Sequence, residues 1–256
     1  MKTGNYFTGV VFLFAFGVSS VLAQSGTPVK ITSGFNWDLV ANGAGSAAGS
    51  VTGGFDTVSN VFYDSSYLSS HVGGGSGIFP AGSTVLGNSG NQYTLAAAAN
   101  NNALLLSASA ASGTLNLSPT ALGVVYILGC SADGSSLVNY TLNFVGGATV
   151  SGNFTFSDWL DPSHTGEITG LSRVNMLDVY EVNPSWTTAF SFYDAAISIP
   201  IVDQSLALQN ISFVFAGGSS KAAVFAVSGI GSVPEPGSAA LLTVGIAAAV
   251  WFVRRK

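Results

Sequence analysis

Apolar and polar residues alternate along most of the chain between Thr32 and Gly231. Residues 138–144 alternate strictly, and residues 211–215 repeat the pattern. Because successive side chains of a strand point to opposite faces, this period of two predicts strands that are buried on one face. The remaining predicted strands are 35–40, 60–63, 92–96, 104–107, 114–117, 122–128, 153–157, 174–180, 190–193, 197–199 and 222–227.

Turn residues separate these segments, and no convincing amphipathic helix is predicted within residues 24–232. Many short strands at even spacing predict an all-β fold, an antiparallel two-sheet sandwich of the jelly-roll kind. The clearest hairpin joins 138–144 to 150–156 through Gly146 and Gly147, which allow the positive φ of a tight turn. The Gly-rich stretches 41–54 and 71–77 are predicted loops, and 95–106 stays open between helix and turn.

The first 23 residues have the three zones of a secretory signal peptide. Lys2 precedes the apolar run 10–18, and small residues occupy Val21-Leu22-Ala23 before Gln24. This order predicts cleavage after Ala23 and removal of residues 1–23 from the folded protein. The alternative is a buried N-terminal helix.

The C-terminal segment 233–256 differs in composition from the rest. Val233-Pro234-Glu235-Pro236 precedes the apolar stretch 238–253, and Arg254-Arg255-Lys256 follows it. As a helix this stretch would measure roughly 24 Å, somewhat less than the ~30 Å hydrocarbon core of a bilayer. The pattern predicts a single transmembrane helix with its basic end in the cytoplasm and the preceding domain outside.

This order of Pro-Glu-Pro, short apolar helix and basic end resembles the PEP-CTERM sorting signal of Gram-negative bacteria that make exopolysaccharide. The resemblance covers 233–256. It implies recognition by an exosortase-type transpeptidase, cleavage near 234–236, and transient anchoring in the inner membrane. The domain would then be released or attached at the cell surface, as an extracellular-matrix protein associated with exopolysaccharide.

A second resemblance, to a galactose-binding-like jelly roll, covers about 112–231. It rests on 115–117, 122–128, 140–144 and 154–156, the element Ser157-Asp158-Trp159, the segment 170–173, and the closing segments 206–215 and 224–228. The chain departs from that pattern at Gly146-Gly147, where an Asp-Gly turn is usual. Residues 24–110 form a Gly/Ser/Ala-rich first part, and the sequence leaves open whether they belong to the sandwich.

Charge and cysteine content restrict the function. Between Gln24 and Val233 the chain has three Lys or Arg and eleven Asp or Glu, a net charge of −8. Three scattered cations cannot neutralise a phosphate backbone, so nucleic acid is excluded as a partner. Cys130 is the single cysteine, which excludes an intramolecular disulfide, and its apolar neighbours predict a buried, inert thiol.

Three acids lie close together after a predicted strand: Asp158, Asp161 and Glu167. Oxygen-rich loops of this kind bind Ca²⁺, although the spacing is not that of an EF-hand. The alternative is a solvated loop in which Asp158 caps a turn and Trp159 closes the sandwich edge. A structural clamp between Asp158 and Arg173 is a further hypothesis.

The histidines and exposed aromatic rings are the remaining candidates for chemistry or ligand binding. With His71 and His164 as the two histidines and no nucleophile motif, we expect no enzymatic activity and no cofactor. Trp186 and Tyr180 are candidate sugar-contacting rings. The alternatives are a lectin-like module, a polysaccharide-acting enzyme with paired carboxylates on facing strands, or a structural coat protein. Four Asn-x-Ser/Thr triplets, at Asn116, Asn139, Asn153 and Asn210, are expected in a chain this rich in Asn, Ser and Thr.

Overall fold

The fold is built almost entirely of β-strands. The computed structural model describes residues 24–71, 77–176, 190–218 and 221–232. The strands are β1 (Thr27–Val29), β2 (Ile31–Ser33), β3 (Val40–Ala41), β4 (Asn60–Tyr63), β5 (Thr84–Leu86), β6 (Gln92–Thr94), β7 (Leu104–Ser107), β8 (Ser112–Ala132), β9 (Ser136–Phe144), β10 (Thr149–Phe156), β11 (Ile168–Leu171), β12 (Arg173–Asn175), β13 (Phe190–Ser198), β14 (Ala207–Gly218) and β15 (Lys221–Gly231). Two short helices, α1 (Ala47–Ser50) and α2 (Ser65–His71), and a 3-10 turn at Ile201–Asp203 are the helical elements of this part of the chain.

Two antiparallel sheets share the long strand β8. The first half of β8 belongs to the outer sheet, whose order is β10-β9-β14-β8-β2. Its second half belongs to the inner sheet, in which β13 and β15 flank β8, β11 pairs with β13, and β1 and β7 pair with β15. β8 is therefore one continuous strand that pairs with strands of both sheets and connects them.

Two hydrophobic cores lie on opposite faces of the inner sheet. On β15, Ala222 and Val224 point into the core between the two sheets, whereas Ala223 and Phe225 point into a second core beneath the inner sheet. This alternation of two apolar sets explains why β15 is buried along nearly its whole length.

The second core is closed by a third layer that the sequence did not predict. This layer comprises the small sheet β12-β4-β3, the hairpin β5–β6 and the short helices. The prediction of an all-β fold with antiparallel sheets is confirmed, and the pair β3–β4 is a local parallel exception. The prediction that 41–54 is an unpacked loop is wrong in part, because Ala41 and Ala47 are buried in this core and 47–50 form α1.

Several predicted strands coincide with observed ones. Residues 60–63 and 104–107 are β4 and β7, and the hairpin β9–β10 turns through Gly146 and Gly147 at φ 96° and 91°. Other predictions were wrong in extent. The segments 114–117 and 122–128 form one strand, and 35–40 pairs regularly only from Val40, with an isolated bridge from Trp37 to Ala103. The run 95–106 contains a turn and then β7, with no helix.

The first and last described strands are neighbours. β1 pairs antiparallel with β15, and Thr27 is the partner of Gly229. The two ends of the described chain, Gln24 and Ser232, therefore leave the fold at the same end of this strand pair. Within the described ranges, no helix has the length and apolarity to cross a membrane. The predicted signal peptide 1–23 and membrane helix 238–253 lie outside those ranges.

Candidate functional site

The candidate residues fall into two groups. Asp158, Asp161, Glu167 and Arg173 are described by the structure. The candidate sugar-contacting rings of Tyr180 and Trp186 lie outside the described residues, as do Val233, Pro234, Glu235 and Pro236 of the sorting motif and the basic end Arg254, Arg255 and Lys256.

Asp158 fixes the turn that follows β10. Its two carboxylate oxygens accept hydrogen bonds from the backbone N–H of Gly134, at 2.5 Å, and of Leu160, at 2.8 Å. Asp158 also forms a bridge to Ser131 near the end of β8. The adjacent Trp159 is 1% exposed. Its ring packs edge-on against Phe55, with centroids 5.0 Å apart, and against other rings of the second core.

Arg173 forms an ion pair with Asp56. Its Nη1 donates to Asp56 Oδ2 at 2.9 Å, and the side chains are 15% and 3% exposed. The guanidinium lies 4.9 Å from the ring centre of Phe190 and 5.5 Å from that of Trp159. Burial lowers the pKa of Arg173, and the charges of Asp56, Asp158 and Asp133 oppose this shift. The arginine clamp predicted with Asp158 is thus made with Asp56, from the loop before β4.

Asp161, Ser163 and His164 form an exposed cluster in the same loop. Asp161 accepts hydrogen bonds from Ser163 N, at 2.8 Å, and from Ser163 Oγ, which together with His164 lower the pKa of Asp161 to about 2. Both the Asp161 carboxylate and Ser163 Oγ contact Nδ1 of His164, at 2.6 and 3.0 Å. A serine hydrolase needs the carboxylate and the serine on different imidazole nitrogens, so these contacts do not form a catalytic relay.

Glu167 belongs to a different, buried polar cluster. Its carboxylate accepts from Ser89 N at 3.0 Å and from Ser89 Oγ at 2.5 Å. The neighbouring Asp194 accepts from Tyr93 Oη at 2.9 Å and from Asn91 Nδ2 at 3.2 Å. Burial raises the pKa of Glu167, and its hydrogen bonds to Ser89 oppose this rise. The two acids therefore hold the segment between β5 and β6 against the edge of the inner sheet.

Asp194 was missed by the sequence analysis. It lies within β13, between the predicted strands 190–193 and 197–199, and its partners are about a hundred positions away in the chain. No local motif marks such a contact, because the pairing arises only when β13 is placed beside β8.

The three acids proposed as a cation site do not converge. Asp158 binds backbone amides, Asp161 binds its own turn, and Glu167 binds the β5–β6 segment. Among the described residues, no group of three or more His, Cys, Asp or Glu side chains is arranged to hold a metal ion. Each of the three carboxylates instead stabilises a loop.

Comparison with known protein families finds a match at the C-terminal end. Residues 232–256 match the family model of the PEP-CTERM protein-sorting motif. The chain is thus an exported protein with a sorting signal that an exosortase recognises, as the sequence predicted. No curated protein matches the chain. The last described strand, β15, ends at Gly231, and the motif begins at the next residue, Ser232.

Proposed function

We propose that this chain is a non-enzymatic cell-surface or extracellular-matrix protein associated with exopolysaccharide. In this proposal residues 1–23 direct export, and the helix 238–253 holds the precursor briefly in the inner membrane. An exosortase-type transpeptidase then cleaves near 234–236. The domain that reaches the surface is the sandwich, which we assign to the jelly-roll kind, together with its third layer.

The position of the sorting motif carries this proposal. β15 lies inside the inner sheet, paired with β8 on one side and with β1 and β7 on the other. The motif starts at Ser232, immediately beyond this strand. Cleavage near 234–236 therefore removes no described strand and exposes no core residue, so the mature domain keeps its structure.

The assignment of a non-enzymatic role rests on how the polar groups are used. His164 does not form a relay with its serine and carboxylate neighbours, and Asp158 and Asp161 are occupied in turns. Glu167 and Asp194 are an acid pair to consider for a polysaccharide-acting enzyme, because burial and the charge of Asp194 raise the pKa of Glu167. Their hydrogen bonds to Ser89 and Tyr93 favour a structural role.

The sorting step is tested in the native host with the full-length, epitope-tagged chain. The doubly substituted variant Pro234→Ala/Pro236→Ala should accumulate as unprocessed precursor in the membrane fraction, whereas the wild-type chain should appear as a shorter form outside the inner membrane. Pro162→Ala, in an exposed loop, is the matched control and should be processed normally. Equal processing of all three chains, or normal processing after deletion of the exosortase gene, would contradict the proposal.

The role outside the cell needs two further assays. The purified protein should co-sediment with the exopolysaccharide of its host and should release no reducing ends from it. If reducing ends are released, and Glu167→Gln abolishes their release, the protein is an enzyme and the non-enzymatic assignment is wrong.

A further inference from the structure

The four Asn-x-Ser/Thr triplets all lie on one surface. Asn116, Asn139, Asn153 and Asn210 belong to β8, β9, β10 and β14 of the outer sheet. The intervening residues, such as Leu117, point into the core between the sheets. Since side chains two positions apart share a face, each triplet places an amide and a hydroxyl side by side on the outward face. The triplets therefore follow from the structure of one sheet and not from composition alone.

Strand register arranges these outward side chains in rows. One row contains Thr149, Asn143, Asn210, Asn116 and Ser33. A second contains Ser151, Thr141, Ser212 and Thr114, and a third contains Asn153, Asn139, Val214 and Ser112. We call these three rows the Ser/Thr/Asn face. Neighbouring groups are about 4.8 Å apart across strands and roughly 6.7 Å apart along them.

Hydrogen bonds along the rows hold the side chains in position. Asn143 Nδ2 donates to Asn210 Oδ1 at 2.7 Å, and Thr141 and Ser151 share a hydroxyl hydrogen bond of 3.0 Å. Asn143 Nδ2 also contacts Thr141 O and Ser212 Oγ, at 3.2 and 3.4 Å. A hydroxyl or an amide can make more hydrogen bonds than one such contact uses, and a side chain already held in position loses less entropy when a ligand binds.

The side chains of the Ser/Thr/Asn face are uncharged, which favours an uncharged ligand. None of the side chains in its three rows is ionisable, although the exported part of the chain carries a net charge of −8. A polyanion would gain no attraction here and would be repelled by the rest of the domain. A second protein copy is disfavoured as well, because the three rows contain one apolar side chain, Val214, which is 47% exposed, and the next row adds Leu137, which is 38% exposed.

We propose that the Ser/Thr/Asn face is the binding surface for an uncharged, hydroxyl-rich polysaccharide in an extended conformation. The hydroxyls of such a polymer donate and accept hydrogen bonds, as do the amides and hydroxyls of the rows. This inference rests on the proposed association with exopolysaccharide, and it names the surface and the class of polymer.

The test compares two threonines that make the same kind of contact. Thr141 shares a hydrogen bond with Ser151 in the second row, and Thr84 shares one of 2.8 Å with Thr94 in the hairpin β5–β6. Full-length wild type, Thr141→Lys and Thr84→Lys are purified in detergent. Binding is measured against the host exopolysaccharide, against a neutral galactomannan and against anionic alginate, at low and high salt. Thr141→Val, which keeps the β-branched shape, serves if the lysine variant does not fold.

We expect the wild type to bind the host polymer and galactomannan with little dependence on salt, and alginate much more weakly. Thr141→Lys should weaken binding at least tenfold, and Thr84→Lys should change it less than twofold. Equal binding by all three chains would overturn the assignment of the face while leaving the exopolysaccharide association intact. Tighter binding of alginate than of galactomannan would also overturn the assignment, because the ligand would then be a polyanion. So would a wild-type dimer that Thr141→Lys dissociates without changing polymer binding, because the face would then be a protein interface. No binding of any polymer by the wild type would reject the association itself.

Discussion

Replacement of Asp56 by asparagine should be among the most destabilising single changes in the third layer. Asp56 Oδ2 accepts from Arg173 Nη1 at 2.9 Å and from Asn60 Nδ2 at 2.7 Å, and Oδ1 accepts from Asn60 N at 2.8 Å. Asparagine keeps the volume but removes the carboxylate that pairs directly with the guanidinium, which packs against Phe190 and Trp159, and leaves the charges of Asp158 and Asp133 to offset its burial. Removing one partner of a buried ion pair costs about 3–5 kcal/mol.

This cost can be read directly from thermal unfolding. For a domain of this size, 1 kcal/mol corresponds to roughly 2–4 °C, so Asp56→Asn should lower Tm by about 6–20 °C. The control is Asp64→Asn, at the exposed start of α2, where aspartate accepts from Ser66 N and asparagine caps a helix equally well.

A double variant separates the ion pair from the fold around it. Asp56→Asn/Arg173→Met removes both charges and leaves a flexible apolar side chain against the aromatic rings, so it should be more stable than Asp56→Asn alone. If Asp56→Asn shifts Tm no further than Asp64→Asn, the ion pair does not hold the third layer and the reasoning is refuted.

Three other experiments test the buried polar cluster and the core. Gly87→Ala would place a Cβ 1.9 Å from Glu167 Oε1 and should cost about 1–3 kcal/mol in urea unfolding, whereas Gly231→Ala, with no atom within 4 Å, should be neutral. Because burial raises the folded-state pKa of Glu167 above 4.5, its stabilising effect is complete below that pH and is lost as pH rises through the folded pKa. The Tm advantage of wild type over Glu167→Gln should therefore shrink from pH 4 to pH 8, and a constant difference would contradict this. Cys130 is fully buried, which raises its pKa, so a thiol reagent should label it only after unfolding.

Local patterns predicted the parts of this fold that local interactions determine. The hairpin β9–β10 follows from alternation and from Gly146-Gly147, and β4 and β7 are short apolar runs with clear ends. The third layer could not be predicted in this way. It exists because β15 and the second half of β8 are apolar on both faces, and a run of that kind does not indicate what covers the second face.

In the candidate site, too, contacts between sequence neighbours could be predicted and contacts between distant residues could not. The hydrogen bond from Leu160 N to Asp158 lies within one turn, which the sequence suggested as a cap, whereas the bond from Gly134 N comes from 24 positions away. The partner of Arg173 is 117 positions away, and nothing near Asp56 marks it as an ion-pair partner. Likewise, the triplet at Asn139 resembles a chance occurrence until strand register places it beside Asn153.

The pairing of β1 with β15 brings the two ends of the described chain together. Thr27 and Gly229 are directly opposite each other on antiparallel strands, so any segment before Gln24 and any segment after Ser232 leave the fold at the same end of this strand pair. In the proposed precursor, the export signal and the membrane helix would therefore extend from neighbouring positions on the fold. The same proximity makes the chain suitable for circular permutation: linking residue 232 to residue 24 and opening the chain between Gly146 and Gly147 would preserve every described strand and place the new termini at the β9–β10 turn.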